Sequence, residues 1–197
     1  MVLTINPQAT VNAGVDATIC EGSDYTLSTA TATDATSLLW TSSGTGTFDD
    51  ASILAATYTP SPADITAGTV TLTLTAQSAA PCVSATDAMV LTISLQATAD
   101  AGTDATICEG SDYTLSTATA TNATLVTWSS NGTGSFDDVN LVNATYTPSA
   151  ADILNGSVIL TMTVSSAAPC VGDTDQMTLF INPQATVNAG VDATICE

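Results

Sequence analysis

Val70-Thr71-Leu72-Thr73-Leu74-Thr75-Ala76 alternates apolar and polar residues without a break. In an extended chain successive side chains point to opposite faces. The stretch therefore reads as a strand with Val70, Leu72, Leu74 and Ala76 turned to a core and the threonines to water. Met89, Leu91 and Ile93 alternate in the same way with Val90 and Thr92. Shorter strands are expected at Tyr25 and Leu27, at Leu38 and Trp40, and at Thr57-Tyr58-Thr59 before Pro60. Gly14, Gly22, Gly44-Thr45-Gly46, Pro60-Ser61-Pro62 and Gly68 mark the turns. Ser61-Pro62-Ala63-Asp64-Ile65 has a helix-like start with room for a single turn. Short strands separated by turn signals predict an all-β sandwich.

The pattern occurs twice. Ile19-Cys20-Glu21 returns as Ile107-Cys108-Glu109 and again as Ile195-Cys196-Glu197, a constant step of 88 residues. Trp40 and Trp128, Phe48 and Phe136, Tyr58 and Tyr146, and Cys82 and Cys170 keep that step. The period is too long for one coil of a solenoid and suits one small domain per repeat. Residues 5–21 reappear letter for letter at 181–197, and Met1 falls in register with Met89 and Met177. The expected layout is the end of a preceding repeat at 1–7, repeats at 8–95 and 96–183, and the start of a third at 184–197. The array is expected to run past both termini. Differences between the repeats respect the facing of the strands. Inward positions change apolar for apolar (Leu38 to Val126, Leu74 to Met162, Ala76 to Val164), whereas outward ones switch polarity (Leu39 to Thr127, Val90 to Thr178, Thr92 to Phe180).

Composition excludes several functions. The 197 residues include 19 acidic side chains and no Lys, Arg or His, for a formal net charge of −19. Without cations the chain cannot neutralise phosphates, so nucleic-acid binding is excluded, as is attraction to anionic lipid. Side-chain salt bridges and Lys–Asn isopeptide cross-links are ruled out too. Only carboxylate pairs remain for acid–base catalysis, and no enzymatic site is expected. Apolar content of 45% argues against a disordered tail. No apolar run of 18 residues predicts membrane insertion. The N-terminus has no basic region, apolar stretch or cleavage site, so any export is expected to be directed by parts outside this sequence.

Three runs carry a family resemblance: Ala13-Gly14-Val15-Asp16-Ala17-Thr18-Ile19-Cys20-Glu21-Gly22, Leu38-Leu39-Trp40-Thr41-Ser42-Ser43-Gly44-Thr45-Gly46-Thr47-Phe48, and Thr57-Tyr58-Thr59-Pro60-Ser61-Pro62-Ala63-Asp64-Ile65. With their counterparts in the second repeat, they resemble the tandem PKD/Ig-like repeats of giant Bacteroidetes cell-surface adhesins, including SprB-type gliding adhesins. The resemblance implies Ig-like (PKD-like) β-sandwiches stacked end to end, type IX export and a place on the cell surface. It implies a structural role, a stalk or filament serving surface attachment or gliding motility. Partners would be neighbouring repeats of the same chain and extracellular surfaces or polysaccharide. The alternative is a polysaccharide-binding module repeated for avidity.

Each repeat owns two of the five cysteines, and Cys196 belongs to the third. Regular cysteines without histidine point to disulfides in an oxidising compartment. Two connectivities are open, Cys20–Cys82 with Cys108–Cys170, or Cys20–Cys170 between repeats. In an Ig-like Greek key the second and sixth strands run the same way. A turn before the second strand, carrying Cys20, and a loop after the sixth, carrying Cys82, then lie at opposite ends. Strands of 6–8 residues set them roughly 20–30 Å apart, while a disulfide needs Cα atoms within about 7 Å. This geometry favours Cys20–Cys170.

Asp49-Asp50, Asp137-Asp138, Asp16 and Asp104 are the only Ca²⁺ candidates, set in turns and near the ends of the repeats; solvated loop carboxylates are the simpler reading. Trp40 and Trp128 could stack on sugars, but their strand positions mark them as core. Asn122, Asn131, Asn143 and Asn155 head Asn-x-Ser/Thr sequons that the first repeat lacks.

Overall fold

The computed structural model describes residues 1, 3 and 5–196. Two compact units partition the chain: Met1–Ala97 with Asn122–Thr124 and Ser165–Gly172, and Thr98–Thr121 with Leu125–Val164 and Asp173–Glu197.

In the first unit the strands are β1 (Thr10–Asn12), β2 (Ala17–Cys20), β3 (Tyr25–Thr26), β4 (Thr31–Thr33), β5 (Ser37–Ser42), β6 (Thr47–Phe48), β7 (Thr57–Thr59), β8 (Thr69–Gln77) and β9 (Ala85–Ser94), with helix α1 (Pro62–Ala67) between β7 and β8. One sheet has the order β2-β9-β8-β5, a second the order β3-β7-β6, and β1 pairs with β4. Alternation along β8 and β9 buries Val70, Leu72, Leu74 and Ala76 with Met89, Leu91 and Ile93. Tyr58 and Leu27 close the core from the opposite side, and Trp40 stands beside Leu74 in the β5–β8 register. The result is an Ig-like, nearly all-β sandwich, with one wall built by the long β8–β9 hairpin.

The second unit repeats the plan with β10 (Thr98–Asp100), β11 (Ala105–Cys108), β12 (Tyr113–Thr114), β13 (Thr119–Thr121), β14 (Leu125–Ser130), β15 (Ser135–Phe136), β16 (Thr145–Thr147), α2 (Ala150–Asn155), β17 (Ser157–Ser165) and β18 (Asp173–Asn182). Met162 and Val164 are buried where Leu74 and Ala76 are, and Phe180 is exposed where Thr92 points outward.

The single helical turns form for local reasons. The Ser61 hydroxyl accepts from the Asp64 N–H, Pro62 opens the helix, and Gly68 ends it in the left-handed region at φ 74°.

One element differs from the sequence reading. Cys20 does not sit in a turn ahead of the Tyr25 strand; it ends β2, which runs parallel to β9 with Cys20 level with Ser94. Four residues are too few to declare a period, and the turn begins directly behind them, where the Ser23 N–H donates to the Cys20 carbonyl.

Facing predicts mutational cost. Leu74→Ala, in a fully buried position, should cost about 2–5 kcal/mol through lost burial and a cavity. Leu39→Thr, on the exposed face, should stay within about 0.5 kcal/mol. Urea denaturation of the two variants checks both.

Candidate functional site

The most organised polar site in each unit is a buried carboxylate. Asp64 is 3% exposed in the first unit and Asp152 is 1% exposed in the second. A charge so placed needs partners, and this chain has no cationic side chain to supply them. Backbone N–H groups take that role. Asp64 Oδ1 accepts from the Thr45 N–H at 2.9 Å; Oδ2 accepts from the N–H groups of Gly46 at 2.8 Å and Ser61 at 2.9 Å, and from the Tyr58 hydroxyl at 2.9 Å. Asp152 repeats the set with Thr133, Gly134, Ser149 and Tyr146 at 2.9–3.0 Å. Among the described residues no buried side-chain nitrogen or oxygen lacks a partner.

Glycine lets the backbone approach this closely. A Cβ on Gly44 would collide with Asp64 Oδ1, and one on Gly46 with the Tyr58 hydroxyl. Burial by itself pushes the Asp64 pKa up. The hydrogen bonds from Ser61, Thr45 and Tyr58 outweigh it and bring the value down to about 2. Asp152 is lowered by the same contacts, and burial raises Tyr58 and Tyr146. Each site ties three separate pieces together: the Gly-Thr-Gly turn, the tyrosine of β7 or β16, and the start of the helix. Sequence reading did not single out Asp64 or Asp152. The available signal was the recurrence of Gly-Thr-Gly and Ser-x-x-Asp at equal spacing in both repeats. The chemistry is structural, since every carboxylate oxygen faces protein donors.

Aromatic packing continues from the tyrosine. Phe48 lies between Trp40 and Tyr58, with ring centroids 6.2 and 5.0 Å away, and Phe136 repeats this with Trp128 and Tyr146. Trp40 Nε1 donates to the Leu54 carbonyl. Both tryptophans are 2% exposed and belong to the core rather than to a sugar-stacking surface.

Cys20 and Cys170 are bonded, with Cα atoms 5.0 Å apart across 150 residues of sequence. Both lie in the first unit, because residues 165–172 pack there. That loop meets the exit of β9: the Ser94 hydroxyl donates to the Ala168 carbonyl, the Gln96 side-chain amide to Val171, and Ser166 Oγ accepts from the Ala97 N–H. Cys82 stands ahead of β9, whose ten residues separate it from Cys20 by about 30 Å. Cys82, Cys108 and Cys196 carry free thiols.

The calcium candidates hold backbone instead of converging. Asp49 accepts from the N–H groups of Thr57 and Asp50, and Asp50 from the N–H and hydroxyl of Ser52. Asp137 and Asp138 serve their own loop likewise. Asp16 accepts from Val90 and Asp104 from Thr178. Among the described residues no three of His, Cys, Asp and Glu gather as a metal site would require, and no helix is long and apolar enough to cross a membrane.

The chain is similar in structure to mouse cadherin-23 EC22-24, at 15% identity and TM-score 0.50 over 90% of this chain and 67% of that one. It is similar also to human CDH23 EC21-23, at 14% identity and TM-score 0.51 over 90% of this chain and 65% of that one. These likenesses concern the fold: tandem β-sandwich repeats of the Ig and cadherin kind. No protein-family model matches the chain, and no curated protein matches its sequence.

Two measurements test the sites. The folded-state pKa of Asp64 lies below its ordinary 3.8. Its stabilisation is therefore complete above about pH 4 and lost as pH falls toward 2, roughly 2 kcal/mol in all. Asp64→Asn should cost about 2–4 kcal/mol at pH 7, since an amide turns N–H against N–H, and should flatten that acid limb in urea titrations. Chelation of divalent ions should leave the melting temperature unchanged; a loss with EDTA that Ca²⁺ restores would make the loop aspartates a metal site.

Proposed function

We propose that the chain is a structural repeat segment, a stalk or filament, of a long secreted cell-surface adhesin of the SprB type. It would be exported by the type IX route and serve surface attachment or gliding motility. The repeats run 8–95 and 96–183. One observation carries the reading: Cys20–Cys170 fastens a loop of the second sequence repeat into the unit formed by the first. A tie of this kind, renewed in every repeat, gives Cys82, Cys108 and Cys196 partners in adjoining repeats. Closing a 150-residue loop stabilises by about 4–5 kcal/mol on loop-entropy grounds, and it adds a second covalent connection beside the main chain. A uniformly anionic surface keeps such an array soluble and apart from its neighbours.

Small-angle scattering tests the proposal. The oxidised chain should scatter as an extended particle with roughly 35–45 Å per repeat, taking strand length plus loops. Reduction should increase its flexibility. Two freely jointed domains in the oxidised chain would rule out a stalk. Saturable binding of a polysaccharide by the chain would instead favour a binding module repeated for avidity.

A further inference from the structure

One sequence occurs twice in this chain in two opposite environments. Residues 9–20 build β1 and β2, where Ala9, Ala13 and Ile19 are buried, Ile19 to 8% exposure. The identical residues 185–196 form no strand, and all are exposed: Val187 to 94%, Val191 to 95% and Ile195 to 91%. A segment whose apolar residues have a known seat lies in water.

We propose that residues 184–196 are a donor segment for a second copy of this chain, entering its first unit in place of residues 8–20. The seat is defined residue by residue. Thr10, Val11 and Asn12 pair with Thr33, Ala32 and Thr31, and Ala17 to Cys20 run parallel to Leu91–Ser94. Asp87 accepts the Ala13 N–H, and Ser78 Oγ the Ala9 N–H. Thr186–Asn188, Ala189 and Ala193–Cys196 supply the same atoms in the same order. The donor is also bent correctly beforehand. The Gly190 N–H donates to Asn188 Oδ1 at 2.8 Å with Gly190 at φ 82°, and Gly14 meets Asn12 at 2.7 Å with φ 97°. The turn that separates the two strands is therefore already made.

Exchange is nearly neutral in its local contacts, because the displaced and incoming segments are identical. The surplus comes from the joint it creates. In the first unit, the end of β2 and the exit of β9 are covered by residues 165–172. The equivalent end of the second unit is an apolar cleft of about 450 Å³ lined by Glu109, Gly110, Ala150, Ile153, Leu154 and Gln184. The loop around Cys82 in an accepting copy matches residues 165–172 and suits that cleft. Cys82 then stands to Cys108 of the donor copy as Cys170 stands to Cys20. Oxidised glutathione can join them: the two thiols lose two protons and two electrons, and the oxidant leaves as two reduced thiols. Each copy carries one donor and one seat, so association is head to tail and open-ended.

The full-length chain is incubated warm, short of melting, over a concentration series, with and without oxidised glutathione. Light scattering, hydrogen exchange and non-reducing peptide maps follow it. Expected are oligomers that grow with concentration, protection appearing at residues 186–195, and a Cys82–Cys108 bridge between isotopically distinct copies. Ile195→Asp should keep the wild-type melting temperature, since Ile195 is exposed, yet remain monomeric. Ile19→Asp should shift the balance toward oligomer by weakening the resident strand. If that variant fails to fold, the comparison of Ile195→Asp with wild type still decides. A wild-type chain that stays monomeric at every concentration overturns the proposal. So do oligomers that Ile195→Asp forms equally well, or oligomers in which residues 186–195 stay unprotected.

Discussion

A carboxylate buried in a chain without a single cationic side chain must be neutralised by something else, and the surrounding loops are arranged around that requirement. Asp64 collects three backbone N–H groups and a phenol. To deliver them, residues 44–46 must turn without side chains at the two glycines, the helix must start at Ser61, and Tyr58 must aim inward from β7. Tyr58 then fixes Phe48, and Phe48 fixes Trp40, so the polar site and the aromatic core form one continuous assembly. Removing the charge would release pieces that hydrophobic burial alone does not hold in register. The same assembly occurs around Asp152.

The long strands were legible in the sequence because seven or more residues of strict alternation leave one face to bury. The second repeat strengthened this reading: Leu74 becomes Met162 and Ala76 becomes Val164, both in the core, while Leu39 becomes Thr127 on the wet side. The single-turn helix at Ser61 was visible for a different reason, its capping residue. Two features were hidden. β2 offers too few residues for periodicity and leads directly into a turn, so its pairing with β9 is a tertiary fact. Asp64 was hidden because burial of a carboxylate is not written at its own position. It depends on N–H groups that the fold brings from 18 or 19 residues away.

Cysteine placement follows from strand direction. Parallel pairing of β2 with β9 carries Cys20 to the level of Ser94, where the first sequence repeat ends, while Cys82 remains at the beginning of β9. Neither residue can reach the other, yet each stands where an adjoining repeat must pass. A repeat built this way has half a clasp at either end, and the observed bond joins two such halves.

That parallel pair has a further consequence for a load applied along the chain. Tension would draw the beginning of β2 backward and the end of β9 forward. Because the two strands point the same way, such a pull slides them past each other along their length. The hydrogen bonds from Ala17 to Glu21 against Leu91 to Ser94 are then strained in shear, all at once, instead of being unzipped from one end. Rupture in that geometry requires the whole row to fail together. Four residues that carry almost no periodic signal are thus the ones that set how much tension a repeat withstands.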